Sequence, residues 1–154
     1  MHEFEFNLKK AQKDITIADH LMNVTHPLIN DPKLLIAIIK KLHDCLHNLM
    51  LAVLKYDFEK KNIDSMPSEN FSSALSLFAK HEISRFSQNY LPLIADVNGL
   101  VKEYDESSVT LNMKGKVFMY DGNYNGNVID KEKIKEYIYK TKQFTKDAAE
   151  ILKW

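Results

Sequence analysis

The stretch LLIAIIKKLHDCLHNLMLAVLKYDF, residues 34–58, constrains the fold of this chain most strongly. It contains no Gly or Pro and is apolar around most of its circumference, which predicts one long helix packed on several sides. The sequence Asn30-Asp31-Pro32 precedes it and offers a side-chain cap followed by a proline suited to a first helical turn. We therefore expect a central helix that begins near Pro32 and carries the core.

Further helices are predicted on both sides of this segment. Apolar residues at steps of three and four predict a first helix from near Asn7 to before Pro27, with Leu8, Ala11, Ile15, Ala18 and Met22 on its buried face. A third helix should follow a cap at Ser65 or Ser68, with Phe71, Leu75 and Phe78 facing inward. Apolar spacing then stays helical from Ile83 to Tyr104 through Pro92. Either one helix kinks at this proline or two helices meet near Tyr90.

The last third of the chain changes character before ending in a helix. A β-favouring run, the turn-rich segment DGNYNGN and a second apolar run predict a small hairpin at about 114–129. Asp130 can cap a final helix at about 131–153. The expected fold is thus all-α: a four- to five-helix bundle, with the small β-hairpin inserted before the C-terminal helix.

Composition bounds what such a bundle can be. With 154 residues and 45% hydrophobic side chains, the chain suits a single domain spanning 1–154. Its 21 basic and 21 acidic residues cancel, so net charge selects no partner. The start MHEFEFNLKK has no apolar run typical of a signal peptide or membrane anchor, and one cysteine, Cys45, cannot form an internal disulfide. We expect a cytoplasmic protein without membrane contact, and surplus apolar helix surface favours a homodimer.

Two histidines on the central helix are a possible metal pair. His43 and His47 lie four residues apart, a spacing that lets two imidazoles reach one zinc ion. No third ligand is evident in the sequence, and metalloprotease chemistry would require Glu where Asp44 stands. The simpler interpretation places both histidines at the polar margin of the helix, and Cys45 is interpreted as a small buried hydrophobe.

Arg85 is the only arginine, so a bidentate phosphate contact would have to use it. His81 lies one turn earlier, and together with Glu82 these residues could hold a phosphate and move a proton. The alternative is an exposed helix face on which His81 and Arg85 are neighbours by periodicity alone.

The final helix mixes seven lysines with five acidic residues and is weakly basic. A contact with an RNA backbone would use lysines such as Lys140, whereas the simpler interpretation is a solvated helix surface. Tyr137 and Tyr139 could stack on bases only where they point outward, and Tyr137 is expected to point inward.

Residues 121–132 match the twelve-residue calcium loop of EF-hands. The resemblance implies ligands from the side chains of Asp121, Asn123, Asn125 and Glu132 and from the carbonyl of Asn127. Only two of these residues are acidic, and β-favouring residues precede the loop where an EF-hand has a helix. Any calcium binding should be weak, and no other cofactor is expected; ordinary hairpin turns explain the same residues.

The chain as a whole resembles the HEPN superfamily of small helical-bundle proteins. The resemblance rests on the opening helix NLKKAQKDITIADHLM, the segment LHNLMLAVLKY and the tail from KGKVFMY to DAAEIL. It implies a four- or five-helix bundle that commonly dimerises, with relatives that cleave RNA, process RNA or bind nucleotides. Catalytic members carry an arginine followed four to six residues later by a histidine. Here no histidine follows Arg85.

These observations lead to one expected function and two alternatives. We expect a HEPN-like protein without catalysis of its own that binds RNA, a nucleotide or a protein partner as a homodimer. The first alternative is a divergent, metal-independent ribonuclease that uses His81 and Arg85. The second is a calcium-binding loop at 121–132 on a structural bundle.

Overall fold

The computed structural model describes residues 2–82, 85–107, 109–113, 115–120 and 126–153. In these ranges the chain is predominantly helical, with one small antiparallel sheet before the last helix, as predicted. Its helices are α1 (Glu3–His20), α2 (His26–Ile29), α3 (Pro32–Glu59), α4 (Phe71–His81), α5 (Leu91–Glu106) and α6 (Lys131–Ile151). Its strands are β1 (Val109–Met113), β2 (Lys116–Tyr120) and β3 (Gly126–Ile129).

Helix α3 is the centre of the fold, as the opening stretch predicts. It packs against α1, α4, α5 and α6, and its large apolar side chains from Leu35 to Leu54 are buried almost without exception. The carboxylate of Asp31 accepts a hydrogen bond from the Lys33 amide at 2.9 Å, which confirms the predicted start of the helix.

The first helical run is longer than predicted at both ends. Helix α1 begins at Glu3 rather than near Asn7, because Phe4 extends the buried stripe by one turn. Pro27 does not end the run. A π-helical turn at Leu21–Thr25 leads into α2. Pro27 lies in the first turn of α2, where a proline is tolerated although it has no backbone N–H to donate. The run ends at Asn30, which is left-handed with φ of 53°.

Between α3 and α5 the predicted cap is wrong, and so is the helix predicted to begin at Ile83. Asn70, rather than Ser65 or Ser68, caps α4 by accepting from the Ser73 amide at 3.1 Å. Helix α4 ends at His81 and α5 begins at Leu91, with Pro92 in its first turn, and the described residues 85–90 between the two helices are not α-helical. The Tyr90 ring stacks on Phe144 at 4.5 Å and its hydroxyl bonds to Asp147, which ties this junction to α6.

The small sheet has three strands in the order β1-β2-β3, all antiparallel. The predicted hairpin corresponds to β2 and β3, and β1 adds a strand that was not predicted. Its side chains Leu111 and Met113 are exposed. The inward side chains Val117, Met119 and Ile129 join the core.

Helix α6 closes the bundle and follows its predicted bounds closely. Asp130 caps it by accepting from the Lys133 amide at 2.9 Å. Both Tyr137 and Ile138 are buried, and Leu152 rather than Ile151 is buried at its end. Within the described ranges, no helix combines the length and the apolar character needed to cross a membrane.

Candidate functional site

The charges of α6 are segregated rather than mixed around the helix. At about 100° per residue, four lysines fall on one flank beside Tyr139, and we call these five residues the basic flank: Lys131, Lys135, Tyr139, Lys142 and Lys146. The acidic side chains fall on the neighbouring strip of the helix surface, at Glu132, Glu136, Asp147 and Glu150. The near-zero net charge of the chain therefore conceals a local basic surface.

Tyr139 is the most exposed aromatic ring of this surface. It is 63% exposed, whereas Tyr137 is 7% exposed and faces inward as predicted. A groove of about 210 Å³ lies beside it, formed by Lys135, Ile138 and Lys142 of α6 and by Asp19 and Asn23 of the first helical run. An open aromatic face between two lysines suits a stacked base with phosphates on either side.

The two lysines of the groove differ in their partners. Lys142 lies 2.9 Å from the Asp19 carboxylate, so an incoming phosphate would compete with that pair. Lys135 has no carboxylate partner among the described residues. Lys140, the lysine chosen from the sequence, lies on the acidic side of the helix and pairs with Glu136 at 2.8 Å.

The structure brings Arg85 to two buried carboxyl groups. Its Nη1 atom lies 2.5 and 2.6 Å from the two carboxylate oxygens of Asp57 and 3.2 Å from Glu82. Asp57 also accepts from the Asn62 side chain at 3.2 Å. We call Asp57, Glu82 and Arg85 the arginine cluster. It joins the C-terminal end of α3 to the segment that follows α4.

The two acids of the arginine cluster differ in protonation. Burial raises the pKa of Glu82 to about 8, and the hydrogen bond and negative charge of Asp57 add to this shift. Burial alone would raise the pKa of Asp57, but hydrogen bonds from Glu82, Arg85 and Asn62 lower it overall. A protonated Glu82 therefore donates to an ionised Asp57, and the cluster is close to neutral at pH 7.

The predicted pairing of His81 with Arg85 has no counterpart in the described contacts. His81 ends α4 with an exposed side chain, while Glu82, the third residue of the predicted cluster, is buried against Arg85. Asp57 was missed because the sequence places it in an apolar helix with no motif around it. The useful signal was an acid only two residues from the end of the largely buried helix α3, together with a single arginine in the chain.

His43 and His47 contact one aromatic ring rather than converging on an ion. His43 stacks on Phe71 at 4.2 Å and bonds to the Asn98 side chain at 2.9 Å through Nε2. His47 meets the same ring edge-on at 5.2 Å, and burial lowers its pKa. Across the described residues, no group of three or more His, Cys, Asp or Glu side chains is arranged to hold a metal.

Most of the calcium-loop candidates lie outside the described residues. This applies to Asp121, Asn123 and Asn125. Asn127 is part of β3, where it pairs with Met119 of β2, and its side-chain amide donates to Glu103 at 3.2 Å. Glu132 lies exposed in the first turn of α6. A strand, β2, precedes the loop where an EF-hand has a helix.

Cys45 is buried at the α1–α3 contact, as predicted. Its thiol donates to the carbonyl of Ala11 at 3.3 Å, and burial raises its pKa to about 12. A thiol in this state is a poor nucleophile at neutral pH.

Comparison with known proteins identifies no relative. No protein-family model, curated protein or solved structure matches this chain significantly.

The arginine cluster predicts a specific pH dependence of stability. In the unfolded chain Glu82 loses its proton near its ordinary pKa of 4.5, whereas in the folded protein its pKa is about 8. The stabilisation that Glu82 adds to the free energy of unfolding is therefore complete below about pH 4.5 and is lost as pH rises through 8. Over this range the free energy of unfolding changes by at most about 1.4 kcal/mol per pH unit. Glu82→Gln keeps a donor to Asp57 but removes this titration.

Urea unfolding of both proteins at pH 6 and pH 9 measures the effect. The free energy of unfolding should fall more between these pH values in the original protein than in Glu82→Gln. Equal losses in the two proteins would show that Glu82 has an ordinary pKa.

Proposed function

We propose that this chain is a HEPN-like helical protein that binds single-stranded RNA along the basic flank of α6 and has no catalysis of its own. The observation that carries the proposal is the exposed ring of Tyr139 beside a groove that also contains Lys135 and Lys142. Stacking of bases on such a ring is tolerant of sequence, and the lysines supply contacts to the phosphate backbone.

The partners of Arg85 favour binding over cleavage. A ribonuclease that used Arg85 would need its guanidinium at the reacting phosphate, but two carboxyl groups already bind its Nη1 atom. Removing Arg85 from Asp57 would leave a buried carboxylate without its cation, which is costly. The alternative, a ribonuclease with His81 and Arg85 as catalytic residues, is tested in the same experiment by measuring RNA cleavage.

Fluorescence anisotropy with a labelled oligouridine tests the proposal. Tyr139→Ala should weaken binding about tenfold, because stacking on one aromatic ring contributes about 1–3 kcal/mol per base. Lys135→Ala should reduce the slope of log affinity against log salt by about 0.7, the value for one phosphate contact on a single strand. Lys140→Ala is the matched control, since Lys140 lies off the basic flank and pairs with Glu136.

Three outcomes separate the hypotheses. Affinity that is lost in Tyr139→Ala but retained in Lys140→Ala supports binding at the basic flank. An original protein that does not bind the oligonucleotide at low salt, or that loses affinity equally in both variants, contradicts it. Cleavage of the RNA in the presence of a chelator, abolished in a folded Arg85→Lys variant, would support the ribonuclease alternative instead.

The homodimer is a second part of the proposal. The apolar surface of α3 is covered by the chain itself, but Val24, Leu28 and Ile29 project from the turn around α2, and Leu28 is 82% exposed. Exposed apolar side chains grouped in this way are typical of interfaces.

Analytical ultracentrifugation of the original protein and of Leu28→Glu measures this association. We expect a dimer that dissociates in Leu28→Glu, because a carboxylate in an apolar interface is strongly unfavourable. Met66→Glu, which places the same carboxylate at an exposed apolar position on the segment before α4, serves as the control. A monomeric original protein, or a dimer of unchanged affinity in Leu28→Glu, would contradict an α2 interface.

A further inference from the structure

A cavity of about 390 Å³ lies at the N-terminal end of α6, where three parts of the fold converge. Helix α2 contributes His26, and the left-handed Asn30 follows it. The turn residue Gly115, with φ of 73°, and Lys116 at the start of β2 also line the cavity. Helix α6 contributes Asp130 to Glu132. We call this space the α2–α6 cavity.

An unpartnered nitrogen of His26 points to a ligand. It lines the α2–α6 cavity and is 5% exposed, yet its Nε2 atom has no hydrogen-bond partner among the described residues. Buried side-chain nitrogens in folded proteins are almost always hydrogen-bonded, to protein, to water or to a bound group. A residue that lines the cavity thus carries a buried ring nitrogen without a hydrogen-bond partner.

The start of α6 offers further donors to the same space. The first amides of a helix have no acceptor inside it. Asp130 accepts the amide of Lys133 through its side chain and that of Ile134 through its carbonyl, which leaves the amides of Lys131 and Glu132. Backbone donors at the positive end of a helix favour an anion, and α6 is long enough to have this property.

The charges around the cavity allow a compact anion. Lys116 and Lys131 have no carboxylate partner within the described ranges. Two acids oppose them, but the Asp130 carboxylate is turned toward the Lys133 amide and Glu132 is exposed. His26, Asp130 and Glu132 do not form a metal-binding arrangement. Donors from an imidazole, two ammonium groups and two amides match the several oxygens of one phosphate.

We propose that the α2–α6 cavity binds a phosphate monoester dianion or inorganic phosphate, with Lys116 and Lys131 as its charged ligands and the His26 Nε2 as a hydrogen-bond donor. This site is distinct from the Tyr139 groove. Lys131 lies eight residues before Tyr139 on the same flank of α6, about 12 Å along the helix. The phosphate at the end of an RNA strand that lies on this flank is therefore one source of the group, and free phosphate is the other.

NMR of the histidine ring nitrogens in the full-length, ¹⁵N-labelled protein tests the site with inorganic phosphate at constant ionic strength. The His26 resonances should shift saturably, and Lys131→Ala and Lys116→Ala should each raise the Kd about tenfold. Lys140→Ala should leave the Kd unchanged. Lys116 and Lys131 are exposed, so both variants should fold. They therefore test the site without replacing the buried His26.

The absence of a saturable shift, or a shift unaltered by both lysine variants, would overturn the proposal. A shift with calcium but not with phosphate would overturn it as well. Comparing the binding of oligouridine with a 5′-phosphate and of oligouridine with a 5′-hydroxyl then identifies the source of the bound phosphate group. Tighter binding of the phosphorylated strand, lost in Lys131→Ala, assigns the site to an RNA end, and equal binding assigns it to free phosphate. Because inorganic phosphate is measured without RNA, its result is independent of the RNA proposal.

Discussion

The burial of α3 on several sides is the constraint on which the rest of the structure depends. Four other helices pack against it, so each needs only one apolar face and leaves the other to solvent. Buried carboxylates close to α3 are paired with cations, as they are for Asp57 in the arginine cluster and for Asp14, which bonds to Lys10 at 3.1 Å. The same arrangement confines candidate binding surfaces to the outer faces of the surrounding helices.

Helix α6 shows how function can follow from this arrangement. Its buried stripe includes Tyr137, Ile138 and Phe144, which fixes the rotation of the helix about its axis. That rotation exposes the basic flank, with Tyr139, and places the acids on the strip of helix surface next to it. The α2–α6 cavity lies where this flank begins. The proposed RNA surface and the proposed phosphate site are thus neighbours because one helix carries both.

The periodicity of apolar residues predicts the helices that form most of the core. It fails for segments whose secondary structure depends on long-range contacts. The span of α3, the cap at Asp130 and the inward Tyr137 follow from local patterns. The continuation through Pro27 and the strand β1 do not, because a π-helical turn and strand pairing compensate for weak local signals. For the site, sequence reasoning chose Arg85 and Lys140, both of which pair with acids. It could not reveal the pair of Arg85 with Asp57, because these residues lie 28 positions apart in the sequence. The pair of Lys140 with Glu136, four residues apart on one helix, could have been read from the sequence and was missed.

The central claim is that the basic flank of α6 is the RNA surface, and chemical-shift mapping tests it most directly. In ¹H–¹⁵N spectra of the protein titrated with oligouridine, the account predicts that the largest shifts cluster on Lys135, Tyr139 and Lys142 and on the facing residues Asp19 and Asn23. Shifts centred on the arginine cluster, or no shifts at low salt, would contradict it.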